Sequence, residues 1–143
     1  MKSLLVTLLL LSMSVGSGPA QEETSQGAVW DVQFIRTKPN QREAYLRSLK
    51  QKSKPIWEEE KRQGLILDYK VFNNLTQYDP HEWDVAVAVQ FKNFAALDGF
   101  EPRESAIAEK IASKQAATRE LAGERFEMRE ILSTKLIQEI VWK

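Results

Sequence analysis

The chain has no cysteine and a single histidine. The first absence excludes disulfides, thiolate zinc sites, iron–sulfur clusters and a cysteine nucleophile. The second excludes metal sites built on several histidines and leaves any Ser-His-Asp arrangement to His81 alone. Net charge is missing as well, because 20 basic and 20 acidic side chains cancel. No basic field is left to hold nucleic acid by counterion release. Glycine-rich phosphate loops and the G-x-S-x-G nucleophile pattern are also absent. The sequence calls for no cofactor and no metal, and no residue declares itself catalytic.

Long apolar runs are scarce too. The one at the start, Leu4-Leu5-Val6-Thr7-Leu8-Leu9-Leu10-Leu11, follows Lys2 and precedes the small residues Gly18-Pro19-Ala20. Those three parts make residues 1–20 a signal peptide. The run is too short for a bilayer, which takes about 20 residues. Export to a bacterial periplasm or beyond is expected, with no membrane attachment after cleavage; the alternative is that the segment is retained as a membrane anchor. The polar stretch QEETSQG, residues 21–27, reads as a disordered leader. Residues 28–143 then form one domain.

Within that domain, residues 29–36 alternate, with Trp30, Val32 and Phe34 on one side and Asp31 and Gln33 on the other. Asn40 followed by Glu43 has capping-box spacing, so a helix is predicted from there to Gly64. Its apolar stripe is Tyr45, Leu46, Leu49, Ile56 and Trp57, and Pro55 predicts a kink near residues 51–54. Glu58-Glu59-Glu60 reads as part of its solvent face. Residues 65–72 (LILDYKVF) read as a second strand and 83–91 (WDVAVAVQF) as a third. A short helix at 94–97 precedes a longer one from Pro102 to about Leu121 and another helical stretch over 123–132. Residues 134–142 (TKLIQEIVW) close the chain as a strand.

The order β-α-β-β-α-β predicts an α+β, ferredoxin-like fold, a four-stranded antiparallel sheet with helices on one face. A strand as apolar as DVAVAV needs cover on both sides. About 120 residues supply no third layer, so a second copy of the chain is the expected cover, forming a homodimer.

The stretches KPIWEEEKRQGLILDYKVF and EWDVAVAVQFKNFAALDGF resemble the dimeric α/β-barrel superfamily, which includes antibiotic-biosynthesis monooxygenase-like, NIPSNAP-like and stress-responsive domains. The similarity extends over residues 29–142, and the chain closely resembles exported bacterial members without assigned activity. It implies a homodimer whose two sheets close into a barrel. It does not choose among oxygenase, isomerase, lyase, haem-degrading and binding roles.

Two sets of side chains are candidates for a site. Asp31, Gln33, Asp68, Lys70, Asp84 and Gln90 share one parity; if Trp30, Val32 and Phe34 face the helices, these polar groups face the partner sheet. There they form either a wet, salt-bridged contact or a ligand site, with Lys70 pairing an aspartate. Trp30, Trp57, Tyr69 and Trp83 either fill the core or line a pocket between sheet and helices. His81 follows a proline in a polar loop and is expected to be solvated. Three functions stay open: binding of a small apolar or aromatic molecule, a cofactor-independent monooxygenase or isomerase, and a structural or protein-interaction module.

Overall fold

A computed structural model describes residues 24–76, 78–114 and 127–143. The predicted signal peptide, the first residues of the predicted leader and the predicted helix beyond residue 114 lie outside them. Four strands, β1 (Thr24–Thr37), β2 (Asp68–Asn73), β3 (Val85–Phe91) and β4 (Arg129–Trp142), form one sheet in the order β2-β3-β1-β4. All three pairings are antiparallel. Helices α1 (Arg42–Ser48) and α2 (Lys54–Arg62) connect β1 to β2, and α3 (Phe100–Lys114) follows β3. This is the ferredoxin-like arrangement expected from the order of elements.

Local chemistry explains where the elements differ from the sequence reading. Asn40 is not a helix cap; it sits at φ +63 in the preceding turn, a left-handed conformation that asparagine tolerates. Gln41 stands at the N-cap instead. Between α1 and α2 the helix continues through a π turn, Leu49–Ser53. Pro55 has no N–H for the carbonyl of Gln51 and would crowd it, so the turn widens where a kink was predicted. Gly64, at φ +71, ends the helix as expected.

Two predicted boundaries move furthest. Residues 24–27 of the predicted leader belong to β1, where Thr24, Ser25 and Gln26 pair with Trp142, Val141 and Ile140. Residues 129–132, read as helix, belong to β4, with Arg129 opposite Thr37 and Ile131 opposite Ile35. Strand pairing overrides the polar composition at the first place and the local helical pattern at the second.

The larger correction concerns the sides of β1. Val29, Asp31, Gln33 and Ile35 lie opposite Phe91, Val89, Val87 and Val85, so all eight share one face. That face carries the helices: Ile35, Val85 and Val87 pack with Tyr45 and Leu49, and Leu46, Trp57 and Met128 close around them. Trp30, Val32 and Phe34 point the other way, with Ala86 and Ala88. The alternation was right and its direction inverted. Val29 and Ile35, both 0% exposed, anchor the odd-numbered side under the helices and carry Asp31 and Gln33 with them.

Candidate functional site

The inversion places two polar residues inside the subunit. Asp31 and Gln33, from β1, line a cavity of about 280 Å³ between the sheet and the helices. Val87, Val89 and Phe91 complete its floor from β3. Tyr45, Leu49, Ser53, Trp57 and Glu60 form one wall, Phe100 and Glu104 of α3 another, and Arg129 of β4 closes an end.

Three carboxylates therefore meet beside the rings of Trp57, Phe91 and Phe100. Glu60 is 1% exposed, and its Oε1 has no hydrogen-bond partner among the described residues. Burial, and then repulsion from Glu104, pushes its carboxyl up to about 7. Burial also raises Glu104, with Glu101 and Asp31 adding like charge. Asp31 is raised by burial, and its Oδ1 likewise lacks a partner among the described residues. The cation at this end is Arg129, whose Nη1 donates to the Tyr45 hydroxyl at 2.9 Å and whose guanidinium lies 5.5 Å over the Tyr45 ring. A buried carboxyl titrating near neutrality is suited to sharing or moving a proton.

The predicted site residues divide among several places. Asp31, Gln33 and Trp57 line the cavity. Tyr69 lies beside it, 4.9 Å from the Trp57 ring between centroids, and its hydroxyl donates to Glu58 at 2.5 Å. Burial, reinforced by Glu58, pushes that phenol up to about 12.

Asp68, Lys70 and Asp84 do not join Asp31. Asp68 accepts from Lys61 Nζ at 2.9 Å, which pulls its carboxyl below the ordinary range. Lys70 lies 5.4 Å over the Trp30 ring on the opposite side of the sheet, so it cannot neutralise Asp31. Asp84 accepts from the backbone N–H of Thr37 at 3.0 Å and from its hydroxyl, tying β3 to the end of β1. His81 is exposed and held by Arg36, which donates to its carbonyl at 3.1 Å. The single polar cluster expected on one parity is thus three separate contacts and one cavity wall.

The aromatic set divides in the same way. Trp30 and Trp83 sit on the face away from the helices, where Phe34 meets Trp83 edge-on at 5.4 Å. Trp30 Nε1 donates to Glu139 at 2.7 Å, and Gln90 donates to the same oxygen at 3.0 Å. Beyond them, Phe72 and Ile137 are about half exposed, at 48% and 51%. No described element covers this face.

Glu60, Glu104, Ser53 and Arg129 were missed as site residues. The signal for Glu60 was present: Leu49, Ser53, Ile56, Trp57 and Glu60 follow one another at helical spacing. An acid that continues an apolar stripe is aimed at the core. Glu104 stands in the same relation to Ile107 and Ile111.

No family model and no curated protein matches the chain. Among solved structures it is similar to a protein from Shewanella oneidensis, with 14% identity, TM-score 0.51, and coverage of 82% of this chain and 96% of that one. It is also similar to a dimeric ferredoxin-like protein from an uncultured marine organism, with 8% identity, TM-score 0.51, and coverage of 83% and 90%. Those similarities show the fold.

Proposed function

We propose that this chain is an exported homodimer that binds a small, largely apolar or aromatic molecule in the cavity between sheet and helices. The observation that carries the reading is the cavity itself, with Trp57, Tyr45, Phe91 and Phe100 as apolar walls and a few buried polar groups to orient a ligand. A cavity of roughly 150 Å³ admits benzene, so about 280 Å³ suits a molecule of one or two rings. Two features support the homodimer: the uncovered aromatic face of the sheet, and the dimeric state of the marine neighbour. Sheet-to-sheet association through that face would make the barrel of the dimeric α/β-barrel superfamily.

Glu60 favours a second reading, a cofactor-independent isomerase or monooxygenase acting on an enolisable or activated aromatic substrate. In that reaction the buried Glu60 carboxylate would accept the substrate proton.

A thermal-shift screen of the mature protein against metabolites tests the binding reading. Compounds that raise the melting temperature should lose their effect in Val89→Phe, which fills the cavity from its floor. Compounds acting equally on both proteins would place the site elsewhere. Export has its own test: protein recovered from the cell envelope should have the intact mass of a chain beginning near Gln21, and a mass retaining residues 1–20 would refute it.

A further inference from the structure

The cavity walls hold a mismatch of donors and acceptors. Glu60 Oε1 and Asp31 Oδ1 are buried acceptors with no donor among the described residues. The titratable groups facing this space are Glu60 and Tyr45 from the α1–α2 helix, Asp31 from β1, Glu104 from α3 and Arg129 from β4. Arg129 already donates to Tyr45. Among the described residues, three acids thus face one engaged cation beside the rings of Trp57, Phe91 and Phe100.

Each class of occupant meets this arrangement differently. A carboxylate or phosphate would bring negative charge to a wall that already holds three acids. A neutral apolar molecule would leave both buried acceptor oxygens without a donor, which is costly. An ammonium brings three N–H donors and no acceptor. Its charge is also attracted to the faces of aromatic rings.

We propose that the occupant is a cation, a primary amine on an apolar or aromatic body, with its ammonium between Glu60 and Asp31 and its body against Trp57 and Phe100. The proposal rests on the small-molecule reading of this cavity and adds the chemical class of the ligand. Binding is coupled to protonation. An ammonium pairs with ionised Glu60, so it displaces the proton that the buried carboxyl keeps up to about pH 7. Affinity rises with pH between 6 and 8, where an alkylamine stays charged.

Titration calorimetry on the full mature protein, with benzylamine, benzyl alcohol and benzoate as probes at pH 6 and pH 8, tests this. Benzylamine should bind at least about tenfold more tightly than either comparator at pH 8, equivalent to one attractive contact of about 1.4 kcal/mol. It should weaken several-fold at pH 6, and at least about tenfold in Glu60→Gln and in Asp31→Asn. Benzyl alcohol or benzoate binding as tightly as benzylamine would overturn the cation proposal and leave the small-molecule reading standing. So would benzylamine binding that ignores both substitutions. Absence of binding by all three probes would overturn both.

Discussion

Glu60→Gln should make the subunit markedly more stable at pH 8.5 and change it little at pH 4.5. The carboxyl titrates near 4.5 in an unfolded chain and is pushed up to about 7 in the folded one. Below 4.5 both states hold the proton, and the group contributes nothing. Between 4.5 and 7 the unfolded state loses the proton while the folded state keeps it, so rising pH favours unfolding. Above 7 both are ionised, and the buried charge imposes its full penalty, roughly 3 kcal/mol for a shift of this size. Glutamine keeps the shape and removes the ionisation. Urea unfolding of wild type and variant at the two pH values measures the difference. Equal destabilisation of the variant at both would show that Glu60 has a donor and is not an unpaired acid.

A fold that tolerates such a penalty points to its site, because shifted carboxyls cluster where chemistry or binding occurs. This is also where the sequence was hardest to read. Element order and the antiparallel sheet follow from periodicity alone, as does the parity of β3, since Val85, Val87, Val89 and Phe91 are uniformly apolar. β1 was ambiguous. Both of its sides carry large residues, and a period of two distinguishes the sides without saying which one the helices cover. The register with β3 decides it, and Asp31 and Gln33 pass from a supposed subunit contact to the cavity. Glu60 was hidden among three consecutive glutamates, of which only this one continues the Leu49–Trp57 stripe. Trp57 was legible because an aromatic on the helix stripe must face the sheet. Lys70 and Asp68 kept their predicted side, but the aspartate expected beside them had gone to the other.

Phe72→Asp combined with Ile137→Asp should convert the protein to monomers that remain folded. Both side chains stand about half exposed on the face away from the helices, Phe72 opposite Ala86 and Ile137 opposite Trp30. In a twofold dimer each substitution occurs twice, so four unpaired carboxylates would enter the interface. Burying a charge without a partner costs well over 1 kcal/mol, and each 1.4 kcal/mol weakens association tenfold, so a loss of at least about hundredfold is expected. Sedimentation velocity at micromolar concentration reads the change, and circular dichroism checks that the subunit keeps its structure. By contrast, Val87→Asp places its charge under the helices and should unfold the chain. A wild-type protein that is already monomeric at these concentrations would remove the two-sheet barrel.

The central claim is that small molecules enter between the sheet and the helices, and the four tryptophans allow it to be tested by position. Trp57 lines the cavity, Trp30 and Trp83 lie on the opposite face of the sheet, and Trp142 is exposed at the end of β4. Fluorine NMR of protein labelled with 5-fluorotryptophan, its resonances assigned by single Trp→Phe substitutions, reports each place separately. Titration with benzylamine, or with any compound that stabilises the protein, should move the Trp57 resonance and leave those of Trp30, Trp83 and Trp142 in place. Movement of Trp30 or Trp83 with Trp57 unchanged would put the ligand on the other face and contradict the account.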